Sequence, residues 1–303
     1  MSQFRKWTKQ CMANKVFDVV NITLMILTLL ICFYPLYYIV ILSFSKQVIG
    51  TYFWPKEISL KGYQYIFADK QVYIGYANTI FYTVVGVLSS LAVTLPCAYS
   101  LSRKDFRGRG VITGFIMVTM FIGGGLVPSY LNVYNMGLLD TRTAIILMGL
   151  TSTYYIIVSR SFFQSTIPGE LLDAANVDGC GNGRFFFGIV LPLSKPIIAV
   201  MALYFGVGRW NSYFTEMIYL RDESKYPLAL FLRRLLWEIS SIQSMMDSGE
   251  LDAIGATAAQ ELLEMSTVMQ YCLIVVSTLP MMIIYPYLQK YFAKGVMIGS
   301  VKG

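Results

Sequence analysis

The chain has 303 residues, of which 56% are hydrophobic and 14% charged, with a net charge of +7. An ordinary soluble domain carries about 25% charged residues, so this balance argues against a disordered scaffold and leaves little room for a large soluble enzyme domain. The chain has no histidine, which excludes His-containing zinc sites and histidine-based catalytic triads.

Residues 1–18 read as a basic tail. The apolar run at 19–42 is too long for the core of a cleaved signal peptide, and no small-residue cleavage site clearly follows. It reads as a retained membrane anchor, with a kink expected at Pro35. Residues 43–73 mix aromatics with charges in a loop. The second span, 74–101, belongs to a stretch without Asp, Glu, Lys or Arg from Val72 to Leu101. At about 1.5 Å per residue it crosses roughly 30 Å of hydrocarbon. Pro96 predicts a second kink.

The third span, 111–131, is interrupted by Gly123-Gly124-Gly125. This reads as a bend, a helix end facing a polar cavity, or the start of a loop. The short fourth span, 143–159, carries Tyr154-Tyr155, which either anchor at headgroup level or line a path. The fifth and sixth spans fall at 196–218 and 267–288. Between them, residues 219–266 accommodate an amphipathic helix over Leu228–Met246 and a second helical stretch over Ala253–Met265. That region is either a solvated loop or a docking surface for an external partner.

Charge gives the orientation. With both ends inside, the cytoplasmic segments hold 14 of the 24 basic residues and 5 of the 17 acidic ones. The short loop with Arg103, Lys104, Arg107 and Arg109 decides it. The expected fold is therefore an all-α polytopic membrane protein with six transmembrane helices and both termini cytoplasmic. The basic residues form no long cationic tract, so nucleic acid is not an expected partner. The cysteines lack CxxC spacing, and Cys32, Cys97 and Cys272 lie in apolar runs where they pack as small hydrophobes.

The most informative stretch runs from Ile167 through Gly179 to Pro196, on the cytoplasmic side of this topology. Pro168 can open a short helix. Glu170 and Asp173 fall in its early turns, where the helix dipole favours negative charge. Ala174 and Ala175 leave a low-profile surface, and Gly179 can end the helix. Phe185, Phe186, Phe187, Ile189 and Leu191 supply apolar anchors. Such a segment is either a surface helix on the inner leaflet or a peg for a groove on a cytoplasmic protein. No nucleophile–base pair, metal set or G-x-x-x-x-G-K-[ST] loop accompanies it, so ATP hydrolysis is not expected of this chain.

The segment Asp173-Ala174-Ala175-Asn176-Val177-Asp178-Gly179, followed by Ile189-Val190-Leu191-Pro192, resembles the EAA loop of binding-protein-dependent ABC importer permeases. Asp173 stands where the family usually has glutamate. The resemblance extends to Asn78-Thr79 and to Ala98–Arg103 with Phe106 and Gly108-Arg109, which match the family's second span, while Gly124–Tyr130, Gly137–Thr141 and the tail from Lys290 to Gly303 resemble the oligosaccharide branch. Many relatives carry an Asn-like residue where Tyr155 stands.

The resemblance implies a type I importer permease fold in a bacterial inner or cytoplasmic membrane. Its core would be residues 74–288, with a cytoplasmic coupling segment at 164–196, an extracellular loop at 219–266 and a cytoplasmic tail at 289–303. It implies a second, different permease subunit, two ATPase subunits carrying ATP and Mg, and an extracellular or periplasmic sugar-binding protein. No cofactor would be bound by this chain. Coupling to the ATPase would fall to Glu170, Asp173, Ala174, Ala175, Asp178, Gly179, Leu191 and Pro192. Cargo-path candidates are Asn78, Tyr130, Tyr155, Trp210, Asn211 and Tyr213. Trp210-Asn211-Ser212-Tyr213 offers an aromatic face, an amide and hydroxyls within one turn, or equally an interface anchor with helix–helix hydrogen bonds. Arg209 and Glu216 flank that patch. The competing readings are an ABC permease for a peptide or modified sugar, and a membrane scaffold.

Overall fold

The protein was described from a computed structural model covering residues 2–46, 53–55, 57–248 and 253–300, with backbone alone for 2–14, 253–254, 256 and 287–300. The end of the tail motif, Val301-Lys302-Gly303, lies outside the described residues. The described regular structure is helical, apart from an isolated bridge between Ser45 and Ile58. The chain divides into two units, residues 1–68 with 236–276, and residues 69–235 with 277–303.

In the first unit, α1 (Ser2–Ser43) continues through Pro35 without a break. Its apolar stretch Lys15–Ser43 is exposed along the hydrophobic window, as lipid-facing side chains must be. Helix α2 (Lys61–Ala68) packs through Gly62, where an added Cβ would stand 2.7 Å from Cys272 Sγ and 2.8 Å from Val268 Cγ1. Cys272 is fully buried, as its apolar setting predicts, and its thiol also donates to the Ser43 carbonyl at 3.1 Å.

The second unit is organised around α3 (Lys70–Ser102), which starts at an Asp69 cap accepting from the Gln71 amide at 2.8 Å and runs on through Pro96. Its buried positions recur every three or four residues and are mostly small or polar: Gly75, Asn78, Thr79, Tyr82, Gly86, Ser90, Thr94, Ala98. The intervening Ile80, Val84 and Leu88 are exposed. This polarity suits a helix whose outer face meets lipid, because close approach and interhelical hydrogen bonds, rather than apolar burial, join helices there.

The third span is two helices, α4 (Arg109–Phe121) and α5 (Leu126–Asn135), bent by 114° at the glycine run. Gly125 has φ of +82°, so that bend uses a conformation only glycine adopts freely. The fourth is likewise two pieces, α6 (Arg142–Met148) and α7 (Thr153–Thr166), bent by 54°. After α7 come α8 (Gly169–Val177), α9 (Asn182–Phe185), a π-turn over Phe186–Val190 and α10 (Leu191–Leu193). Helix α11 (Lys195–Trp210) follows, and the fifth span's remaining residues form a separate helix, α12 (Phe214–Tyr219). Apolar runs do not reveal these breaks, because hydropathy is indifferent to where the backbone turns. Helices α7 and α11 pack on α3. The amphipathic helix appears as α13 (Leu228–Ser248). The stretch Ala253–Met265 is not a separate helix but the beginning of α14 (Ala253–Ser300), which contains Pro280 and Pro286. Among the described residues, three helices are long and apolar enough to cross a membrane, or up to six spans if each bent pair counts once.

Candidate functional site

The coupling segment is held by an aromatic core. Tyr99 of α3 packs edge-on against Phe163 of α7 at 5.7 Å between ring centroids, and tilted against Phe186 at 5.2 Å. Phe185 and Val190 are fully buried there with Leu101 and Ala175. Phe187 departs from expectation: it is 69% exposed. In a helical turn three consecutive phenylalanines cannot all face one core.

Helix α8 rests on this core through Ala175, which is buried, and Leu172, which is half-buried. Glu170, Asp173, Ala174 and Asp178 point the other way and are exposed. Pro168 is the residue before the helix rather than its first member. Gly179, at φ of +69°, closes the helix. The Cys180 amide donates to the Ala175 carbonyl at 2.8 Å and the Gly179 amide to that of Asn176 at 3.1 Å, the two bonds of a Schellman ending. Val177, at the tip, is 88% exposed. Leu191 is half-buried and Pro192 is exposed in the first turn of α10.

Three arginines fasten the C-terminal end of α3, and one of them, Arg103, reaches this segment. Arg103 Nη1 donates to Asn182 Oδ1 at 2.6 Å, while its Nε and Nη2 clasp Asp105. Arg160 Nε caps the Leu101 carbonyl and Arg109 Nη1 that of Arg103, each at 3.0 Å. The sequence marked Arg103 and Arg109 only as part of a motif, and the joint role with Arg160 needed the fold. Replacing Arg103 by alanine should speed amide exchange across residues 178–186. A charge-assisted bond contributes about 1.5–3 kcal/mol, which corresponds to roughly ten- to a hundredfold in local opening. Hydrogen–deuterium exchange measures it, and unchanged protection would show the segment is held without this residue.

At the opposite end of α3, Asn78 is buried and fully engaged. Its Nδ2 donates to the carbonyls of Ser224 at 2.8 Å and Tyr226 at 3.1 Å, and its Oδ1 accepts from Arg142 at 3.0 Å. Thr79 Oγ1 accepts from the Leu228 amide at 2.9 Å. Asp140 completes the clip, accepting from the amides of Arg221 and Asp222 at 3.0 and 3.1 Å and from Lys225 Nζ at 2.9 Å. Desolvation opposes the charge on Asp140, but those amides and the Lys225 ammonium outweigh it and pull the carboxyl down to about 2 from its ordinary 3.8. A lowered folded value means the clip's contribution is complete above 3.8 and is lost as pH falls through about 2. Exchange of the Arg221 and Asp222 amides, referenced to unstructured peptide at each pH, should therefore lose protection over that window. Asp140→Asn, which tolerates the residue's φ of +56°, should remove the pH dependence.

The remaining cargo-path candidates separate. Tyr130 stacks on Tyr219 at 6.0 Å. Trp210 is buried, and its Nε1 donates to the Ser277 carbonyl at 2.9 Å. Asn211 is exposed and donates to the Val207 carbonyl at 3.0 Å. Tyr213 lies under Arg233, 5.6 Å from its guanidinium carbon. Tyr155, by contrast, lines a cavity of about 330 Å³ together with Tyr204, Arg209, Ser212 and Glu216. Tyr155 and Tyr204 stack at 5.6 Å and 8°. Arg209 Nη1 and Nη2 donate to the carbonyls of Ile145 and Ile146, each at 2.9 Å, so this arginine caps α6 at the break in the fourth span. A separate groove of about 440 Å³, along Val84, Val87, Leu203 and Pro280, is apolar. Among the described residues, no group of three His, Cys, Asp or Glu is placed to hold a metal.

Comparison with known proteins agrees with this architecture. Residues 66–222 match the family described as "Binding-protein-dependent transport system inner membrane component". The polygalacturonan/rhamnogalacturonan transport system permease protein YtcP of Bacillus subtilis is 36% identical over 96% of this chain and 100% of its own. Protein LplC of the same organism is 36% identical over 96% of both chains. An arabinooligosaccharides transport system permease protein of Halalkalibacterium halodurans is 26% identical over 90% of this chain and 92% of its own. A crystal structure of a bacterial ABC transporter involved in the import of the acidic polysaccharide alginate includes a chain that superposes with a TM-score of 0.80 and 33% identity, over 92% of this chain and 98% of that one. The chain therefore belongs to the binding-protein-dependent transport system inner membrane component family, as a non-catalytic, multi-pass permease of the bacterial inner membrane with the type I ABC importer fold.

Proposed function

We propose that this permease carries an oligosaccharide, delivered by an extracellular or periplasmic binding protein, across the membrane with a second, different permease subunit and two ATPase subunits. In this reading the chain crosses the membrane six times, three of the spans being broken, with both termini and α8 in the cytoplasm, which the excess of basic residues in those segments supports. The carbohydrate class is supported by the names of the relatives, and the coupling role by one observation above all. Helix α8 sets an acidic, exposed face and a protruding Val177 on a rigid aromatic core, which is the build of a peg for a groove on another protein. Glu170, Asp173, Ala174, Asp178 and Gly179 form the docking face and its end, Ala175 roots it, and Leu191 and Pro192 lead back to α11. ATP and Mg belong to the partner ATPases, whose closure pushes on α8 and, through the Arg103 and Tyr99 contacts, on α3 and α7. Tyr155 is the cargo-path candidate on a polar cavity. Asn78 and Trp210 serve the path indirectly, by fixing the helices around it.

Co-purification from the native membrane tests this reading. The chain should bring down an ATPase and a second permease, and the reconstituted assembly should hydrolyse ATP faster when a binding protein and an oligosaccharide are both supplied. An assembly that imports a peptide and ignores every saccharide in a neutral and acidic panel would overturn the carbohydrate assignment. A chain that purifies without an ATPase would overturn the coupling role.

A further inference from the structure

We propose that the cavity between the broken fourth span and α11–α12 is a cargo subsite of this subunit, shaped for an uncharged, hydroxyl-rich saccharide ring, with Glu216 as the residue that sets that preference. This rests on the carbohydrate reading above. The volume, about 330 Å³, lies at the lower end of the roughly 300–1,000 Å³ of small-molecule pockets.

The lining divides by chemistry. Tyr155 and Tyr204 both line the space and stack with their planes 8° apart, so a ligand meets an outer ring face of the pair. The C–H face of a sugar ring packs on such a face without losing hydrogen bonds. Thr151, Ser152 and Ser212 line the same space with hydroxyls, and so does the carboxyl group of Glu216. Glu216 is only 3% exposed and takes a hydrogen bond from Ser212 Oγ at 2.8 Å. A carboxyl group this deeply buried is costly to keep and is a functional-site signal when its residue lines a cavity.

The neighbouring cation does not turn this into an anion site. Two nitrogens of Arg209 hold the carbonyls of Ile145 and Ile146, which fixes the guanidinium as a strut for α6, and its charge is offset by the Glu216 carboxyl group that lines the same cavity. A uronate entering here would meet a cation already balanced by Glu216, whereas a hydroxyl would find an acceptor. The apolar groove beside Trp210 lacks such acceptors, so a sugar hydroxyl placed there would go unpaired, at a cost of about 1–3 kcal/mol.

The test uses the complete reconstituted importer with Thr151→Cys and a water-soluble thiol reagent, scored against the same importer without the substitution. Thr151 is exposed and lines the cavity. The probes are trigalacturonate and its trimethyl ester, which share a skeleton and differ in charge. The ester should slow labelling of the new thiol several-fold and the free acid distinctly less. Glu216→Gln should bring the two together while the amount of assembled complex stays the same. Equal protection by both probes in the native background would overturn the role of Glu216. No protection by either probe, in an importer that takes one of them up, would overturn the subsite and leave the carbohydrate reading standing. An importer that takes up no saccharide in the neutral and acidic panel would overturn both.

Discussion

Changing Asp173 to arginine and Gly179 to leucine together should cut sugar-stimulated ATP hydrolysis by the reconstituted importer about tenfold or more, with the membrane spans left in place. Two physical effects combine. Arginine at position 173 reverses the charge in the middle of the exposed acidic face formed by Glu170, Asp173 and Asp178. Leucine at 179 must adopt φ of +69°, which costs a side chain with a Cβ about 1–2 kcal/mol. Each 1.4 kcal/mol is about tenfold in the population of the closed ending. Opening it loosens the Cys180–Ala175 and Gly179–Asn176 bonds that set the angle of the peg. The measurement is the ratio of stimulated to basal hydrolysis, beside the amount of ATPase that co-purifies. Asp173→Glu, which restores the residue usual in the family, should keep wild-type coupling. Wild-type coupling in the double variant would remove α8 from the proposed drive train.

Much of this architecture was legible in the sequence because lipid imposes simple rules. Long uncharged runs point to the helices of a multi-pass membrane fold, and the contrast between basic and acidic segments predicts an orientation. The motif at 173–179 pointed to a short helix with one small face, and glycine at the end gave its stop. Internal breaks were harder. Gly123-Gly124-Gly125 signalled one, but the bend between α6 and α7 falls at Gly149–Ser152 with no comparable signal. A residue far along the chain, Arg209, holds the Ile145 and Ile146 carbonyls freed beside it. Asn78, a cargo-path candidate by resemblance, raises a related point: its partners are the carbonyls of Ser224 and Tyr226, more than a hundred positions away. Polar residues that fasten helices and polar residues that face a path look alike until partners are known. Two signals could have found the Arg209 region. Gly86 interrupts an apolar run, and Arg209 and Glu216 stand in a span that has no other charge.

Gly86 and Arg209 supply the second large effect, and it should be strongly non-additive. A Cβ on Gly86 would stand 2.4 Å from both Cδ and Nε of Arg209. The arginine cannot simply swing away, because Nη1 and Nη2 hold the Ile145 and Ile146 carbonyls and Gly149 confines the guanidinium from another side, 3.1 Å from Nη2 to a notional Cβ. Gly86→Ala should thus pull the half-buried guanidinium off both carbonyls, which costs about 3 kcal/mol at the low end of the range for two bonds to a charged group. Arg209→Met removes the charge but orphans two carbonyls, at about 1–3 kcal/mol for each group. With methionine at 209 the space beside Gly86 no longer holds a pinned charge, and adding the alanine there should cost under about 1 kcal/mol. The sum of the single effects would then exceed the double effect by roughly 2 kcal/mol or more, in the range seen for residues in contact. Denaturation midpoints of the four purified proteins in one detergent close the cycle. Effects that simply add would mean that the glycine and the arginine do not share this space.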